Sequence, residues 1–290
     1  MRYYIHHQTI YTYNQPVILK PHVLRLRPRC NGGQKLDSFS LKINPKPKEI
    51  ANLIELEGNT CIQVWFTQST ETLTIETESE VETLEENPFT YLLDHYALNL
   101  PFDYPSSLLT FLTPYLASYF PQVDPITLQL AQEICHEVNG KTLTFLSTLN
   151  ERIYQNCQQI IRETGKPWPA GITWTQKQGT CRDLVVLFME VCRAVGIGSR
   201  FVSGYQEGDP DQQERDLHAW VEVYLPGGGW RGYDPTHGLA VSDRHIALVA
   251  SAKPSYCSPV VGATVPVTPV VESGKPLESH MDANITIKLL

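Results

Sequence analysis

No stretch of this chain stays apolar for the roughly 18 residues that a membrane-crossing helix requires. The opening run Met1 to His7 also lacks the apolar segment of a secretory leader, so the cytoplasm is the expected compartment and no membrane partner is expected. Basic residues are scarce and unclustered: 23 Lys and Arg stand against 31 Asp and Glu, the formal charge is −8, and the pI is near 5.6. A chain of that sign, without a basic block or stripe, lacks the electrostatic footprint of a nucleic-acid binder. Its seven cysteines, at 30, 61, 135, 157, 181, 192 and 257, include no C-x-x-C pair. An odd and scattered set predicts free thiols rather than a disulfide framework or a zinc knuckle. There is no acidic loop of the EF-hand type, and neither a metal nor another cofactor is expected.

What is present describes a folded globule: 290 residues, 42% hydrophobic and 19% charged, enough for two domains or one large one. Over the first 83 residues, short runs rich in β-branched and aromatic residues are punctuated by Asn31-Gly32-Gly33, Pro45, Pro47 and Gly58-Asn59. Strands are predicted at 3–13, 22–27, 36–43, 52–57, 60–66 and 72–81, forming a small antiparallel β-sandwich. His6 and His7 read as strand residues because no Cys, Asp or Glu is spaced to join them as ligands. Arg25 and Arg27 read as a solvated or ion-paired strand face. From residue 85 the period becomes helical. Helices are predicted at 107–120 with a break near Pro114, from Asp124-Pro125 to Gly140, and at 143–164, the last stopped by Gly165 and Pro167. The stretch 165–174 reads as a loop, whose Trp168 and Trp174 either line an apolar cleft or cover the core.

The most informative stretch is Gln178 to Gly196. Thr180 is a good N-cap and Asp183 stands three residues on, which places Cys181 at the first helical position. Unpaired amides and the positive end of the helix dipole favour an anion there, so a thiol at such a position ionises readily. Leu184, Val185, Leu187, Phe188, Val191, Cys192 and Val195 recur at helical spacing, which predicts a buried rod stopped by Gly196. Downstream, residues 216–225 alternate: Leu217, Ala219, Val221, Val223 and Leu225 make one face, His218, Trp220, Glu222 and Tyr224 the other. A glycine turn after Pro226 and a returning strand, 230–235, predict a hairpin that brings His218 and Asp234 together. Pairing Leu225 with Trp230 would set Asp234 opposite Val221. Tyr224 pairing with Gly228 around a three-residue loop, or a bulge, would set it opposite His218, and one of these two devices is expected.

Four segments, Gly179-Thr180-Cys181-Arg182-Asp183, Arg200 to Tyr205, Leu217 to Pro226, and Gly229-Trp230 with Tyr233 to Gly238, resemble the transglutaminase-like superfamily in its bacterial branch. Residues 1 to about 83 resemble that branch's N-terminal domain, in His7 to Asn14, Pro16-Val17 and Leu24 to Pro28. The resemblance implies an α+β chain with an N-terminal antiparallel β-sandwich at 1–84. A papain-like, transglutaminase-like core would follow at 85–290, with helices packed on an antiparallel sheet, a preceding helical segment and C-terminal strands. It also implies a catalytic triad of Cys181, His218 and Asp234. His237 departs from the family, where Asn or another small polar residue is expected.

Taken singly, the three residues read as a small core hydrophobe, a strand histidine and a turn aspartate. Together, at a helix mouth and in one hairpin, they predict thiol-dependent acyl transfer from a peptide or side-chain carboxamide through a thioester. Gln178 or Gln176 is a candidate oxyanion donor beside the Cys181 amide, and Trp174 and Trp220 are cleft candidates. Hydrolysis, as a cysteine peptidase or amidase, is the first expectation, because the bacterial branch looks like candidate cysteine proteases and no calcium loop is visible. A transamidating cross-linker and a catalytically silent binding module are the alternatives. The partner would be a protein or peptide substrate. The polar run 206–214 reads as a solvated loop or as a rim of the site that would disfavour anionic substrates.

Overall fold

The computed structural model describes residues 1–162, 165–208, 217–268 and 276–290. Six strands come first: β1 (Arg2–Leu19), β2 (His22–Leu24), β3 (Gln34–Asn44), β4 (Glu49–Ile54), β5 (Thr60–Trp65) and β6 (Ser69–Thr83). Period-two patterning selects their faces. In β6, Leu73, Ile75, Thr77, Ser79, Val81 and Thr83 are buried, while Glu76, Glu78, Glu80 and Glu82 alternate with them on the other face. A helical segment follows, with α1 (Ser106–Leu116), α2 (Pro125–Glu137), α3 (Thr142–Asn156), the short β7 (Gln158–Gln159), α4 (Ala170–Gln176), β8 (Gln178–Gly179) and α5 (Cys181–Ala194). The chain then makes β9 (Ser199–Gln206), β10 (His218–Leu225), β11 (Gly229–Asp234), β12 (Leu239–Ala240) and β13 (His245–Ser251). It ends in β14 (Val260–Val261), β15 (Thr264–Pro266) and β16 (Ser279–Leu289).

Strands β12-β11-β10-β9-β13 form one antiparallel sheet, in that order, and α5 packs against its β10 and β9 strands. The helix is the centre of the core: every residue from Asp183 to Arg193 is buried, and α2, α3 and α4 pack around it. Its far end carries the two left-handed-cap bonds of a Schellman stop. Ile197 N donates to Cys192 O at 2.9 Å and Gly196 N to Arg193 O at 3.0 Å, with Gly196 at φ +79°. A buried pair, Glu190 and Arg193 at 3.1 Å, fastens this end. Glu190 accepts from the Tyr119 amide, and Arg193 donates to the carbonyls of Tyr115, Ser199 and Ala252, so the ions tie α1, β9 and the segment after β13 to the helix.

The strand-rich N-terminal region is a sandwich of two antiparallel sheets, and the end of the chain completes it. In one sheet β1 lies between β6 and β16, with β15 also on β1 and β3 on β6; the other runs β14-β2-β5-β4. The C-terminal strands expected to belong with 85–290 therefore pair with the first strands instead: Tyr3 faces Leu289 and Tyr13 faces Ser279. Two helical expectations also change. The third helix ends at Asn156, not near 164, because Cys157 turns extended and Gln158 and Gln159 pair in parallel with Gln178 and Gly179. The stretch read as a loop holds α4, whose prolines precede it and whose Gly171 amide donates to Asp124 at 3.0 Å. Asp124 caps α2 as well, accepting from Ile126 N at 2.9 Å. The first helix runs unbroken, with Pro114 in its last turn.

Candidate active site

Cys181 opens α5 and is half-buried. The capping arrangement forms as the sequence requires: the buried Asp183 carboxylate accepts from the Thr180 amide and the Thr180 hydroxyl, both at 2.8 Å. It does more than cap, since it also accepts from the Trp168 amide at 2.7 Å and pairs with Arg162 at 2.7 Å. One carboxylate thus holds the segments before the helix against its first turn. Gly179 is required by close approach: a Cβ there would lie 2.8 Å from Asp183 Cβ. Gln158 N to Lys177 O at 2.8 Å and Ile160 N to Gly179 O at 2.9 Å fix the same approach from the other side. The Cys181 amide makes no hydrogen bond among the described residues.

His218 begins β10, paired with Gly204 of β9. The hairpin register is a third possibility, neither of the two devices expected. Leu225 pairs with Gly229 around the three-residue loop 226–228, so Val221 faces Tyr233 where the ladder ends. This register still places Asp234 on the face of Trp220 and His218, but diagonally from the histidine rather than opposite it. The imidazole spans the diagonal, and its Nε2 lies 2.8 Å from Asp234 Oδ2. Nδ1 is the ring's other nitrogen, and Cys181 lies close enough to this ring to favour its charged form.

Asp234 is fully buried and accepts from every side. Thr236 N and His237 N donate to Oδ1 at 3.0 and 3.4 Å, while His237 Nδ1 and His245 Nε2 reach Oδ2 at 2.9 and 3.2 Å, beside His218. Burial alone would protonate the acid, but the His218 charge and the three imidazole hydrogen bonds outweigh it and hold the carboxyl well below its ordinary range. Burial likewise opposes charge on His218, yet the Asp234 charge and hydrogen bond, with Cys181 adding to them, push the imidazolium up to about 10. The pair is held as an ion pair.

The reactive-looking groups lie together: His218 and Asp234 are hydrogen-bonded, and Cys181 lies beside the His218 ring. The other candidates do not join it by any hydrogen bond among the described residues. Gln178 is half-buried in β8, Gln176 is exposed at the end of α4, and Trp174 is capped by Lys177 Nζ, 2.9 Å from its ring centroid. Trp220 is no cleft wall. It is 1% exposed, packed with Val202, Ala247 and Ala250 under the His218 ring, where Gly204 leaves room, since a Cβ there would sit 2.6 Å from the indole. Most of the polar run, 209–214, lies outside the described residues, and the rim reading with it. Sequence reasoning missed His245 altogether. It lies on β13, which β9 separates from β10, and no linear spacing signals that neighbour.

The ligand atoms of His218, Asp234 and His237 lie within 4.8 Å of one another, a span that suits a metal ion. The imidazoles of all three histidines, however, converge on Oδ2 itself. That is the geometry of N–H donors around an anion rather than of lone pairs around a cation.

Residues 129–235 match the transglutaminase-like superfamily, and residues 3–82 match the bacterial transglutaminase-like N-terminal region. The chain is 26% identical over 261 residues to an uncharacterized protein of Mycobacterium tuberculosis, covering 85% of this chain and 82% of that one. A 71-residue stretch, 22% of this chain and 11% of the relative, is 37% identical to a protein-glutamine gamma-glutamyltransferase of Pseudomonas aeruginosa. The solved structure of a candidate cysteine protease from Cytophaga hutchinsonii has the same fold, with a TM-score of 0.70 at 20% identity, over 99% of this chain and 90% of that one. With an α+β fold, a sandwich ahead of a helix-on-sheet core, and the two regions matched in their expected order, the chain carries a bacterial transglutaminase-like N-terminal region followed by a domain of the transglutaminase-like superfamily.

Proposed function

We propose that Cys181, His218 and Asp234 act as a triad for acyl transfer, and that water is the usual acceptor, making the protein a cysteine peptidase or amidase acting on a protein or peptide carboxamide. The observation that carries this reading is the 2.8 Å bond from His218 Nε2 to a buried, ionised Asp234, which leaves Nδ1 for the thiol at the mouth of α5. The Cys181 thiolate attacks the carbonyl carbon, and the Cys181 amide, unpaired among the described residues, serves as a backbone donor to the oxyanion that forms. The imidazolium gives its proton to the departing amine as the C–N bond breaks, leaving a thioester. His218, now neutral, takes a proton from water as its oxygen attacks the thioester. Collapse of that adduct releases the carboxylic acid and restores the ion pair. Asp234 keeps the ring's Nε2–H bonded and offsets its charge throughout.

Transamidation is the second reading, favoured by the stretch similar to the protein-glutamine gamma-glutamyltransferase of Pseudomonas aeruginosa. A primary amine would then attack the same thioester. One assay separates the readings. A glutamine-containing peptide library is incubated with the protein, with and without a primary amine, and products are identified by mass spectrometry. Cleaved or deamidated peptides, unchanged by amine and lost in Cys181→Ala, are expected; amine adducts as the main product would replace hydrolysis with transfer. Iodoacetamide labelling from pH 5 to 9 tests the triad itself. Cys181 should label selectively at low pH, and labelling no faster than the other exposed thiols would remove the acyl-transfer reading.

A further inference from the structure

His245 is 6% exposed, and its Nδ1 is buried with no partner among the described residues. A buried imidazole with one nitrogen on a carboxylate and the other on nothing is held as the neutral tautomer that carries its proton on Nε2. Charging it would leave an N–H without an acceptor. Burial is also the chief reason its protonation is disfavoured, against the pull of Asp234. Trp220 packs edge-on against the ring, with centroids 5.2 Å apart, and fixes its plane.

The strand that carries His245 lies at the edge of the core sheet, and the sandwich covers that edge with side-chain amides. Gln34 donates to Ala247 O at 2.9 Å and accepts from Ala247 N at 2.8 Å, two residues from His245, and Arg29 N adds a bond to the same carbonyl. Asn59 does the same for Ala250, at 2.8 and 3.0 Å, and Glu57 accepts from Ala252 N at 2.9 Å. Both amides are nearly fully buried, Gln34 at 4% and Asn59 at 1% exposure. Each therefore acts as a short surrogate strand, pinning β13 in register along its outer side.

We propose that His245 is a positioning residue, which holds Asp234 Oδ2 and draws off part of its charge from His218, and that the N-terminal sandwich holds His245 in place by gripping β13. This rests on the triad reading. It gives the sandwich a role in the active site without any contact to substrate. The groups facing Asp234 are His218 from β10, His237 from the turn, His245 from β13 and, through His218, Cys181 from α5. The other charges near the start of β13 are engaged elsewhere: Arg244 pairs with Glu207 at 3.6 Å, and both act with Asp243 on the Tyr3 hydroxyl.

The test is an NMR titration of the ring nitrogens of the full chain labelled at histidine, alongside iodoacetamide labelling of Cys181. His245→Leu removes the donor and keeps the bulk. The Asp234 charge then bears more fully on His218, whose titration midpoint should rise by about 0.5 to 1 pH unit. His245→Gln, which returns an N–H at the same reach, should bring it back. Gln34→Leu should move it in the same direction by less. An unchanged or lowered midpoint in His245→Leu, or equal shifts in the Leu and Gln variants, overturns the role of His245. An unchanged midpoint in Gln34→Leu, with His245→Leu shifted, overturns that of the sandwich. The His218 resonance reads these outcomes whether or not Cys181 proves reactive, so loss of the triad reading is separately visible in the wild-type labelling.

Discussion

At the scale of single residues, the charge pair of His218 and Asp234 couples folding to pH. The His218 imidazolium is raised from 6.5 to about 10, so its contribution to stability is complete below pH 6.5 and is lost as pH rises through about 10. Asp234 is held well below 3.8, so its contribution is present above that value and is lost as pH falls beneath it. Urea midpoints measured across pH should fall at both ends, and Asp234→Asn should flatten both limbs. Asp183 carries a second prediction. Asp183→Ala breaks the cap and strands Arg162 and the Trp168 amide, and should cost about 3 to 5 kcal/mol by chemical denaturation. The three positions proposed as a triad were legible because each sits in a local pattern: a cap, an alternating strand, a strand end before proline. His245 was not legible, since its approach to Asp234 depends on strand order in space. Trp220 misled because a period-two pattern gives the face of a strand but not whether that face is open.

Elements succeed or fail as reading units according to how local their determinants are. The cysteine helix has its cap, its apolar stripe and its glycine stop within one stretch, and it forms within those bounds. Gly196→Ala should cost about 1 kcal/mol, read as a shift in urea midpoint, because an alanine is strained at φ +79°. The hairpin register was less legible. Parity is fixed by the need to keep Ala219, Val221 and Val223 in the core, but a shift of two residues conserves parity, so direct and diagonal pairing of His218 with Asp234 satisfy the pattern alike. The short α4 was hidden by Pro167, Pro169 and Gly171, residues that oppose a helix unless something outside holds it, and Asp124 does so from α2. At the covered edge of β13, Asn59→Ala leaves the Ala250 N–H and C=O buried without partners. The expected loss is about 2 to 5 kcal/mol, measured by thermal and urea unfolding.

For the whole molecule, the sandwich and the core are joined along β13 and through a buried contact from His7 Nδ1 to the Tyr205 hydroxyl at 2.9 Å. Calorimetry should show a single transition. Burial lowers His7 from 6.5 to about 4, so its neutral form stabilises the fold fully above pH 6.5, and that contribution is lost as pH falls from 6.5 through about 4. His7→Gln should weaken the acid dependence over that interval. The two-part architecture was legible in the change of period near residue 85. The return of the last strands to the first was not, because an alternating strand does not name its partner.

That return reaches beyond stability. The inner position of β1 is flanked by residues 279–289, so its second neighbour leaves the ribosome only after α5 and the β10–β11 hairpin have been made. Until then β1 presents a long bare edge, and the clamp on β13 belongs to a sandwich still missing its closing strands. The arrangement around Asp234 is therefore the part of the described fold that waits longest for its supports.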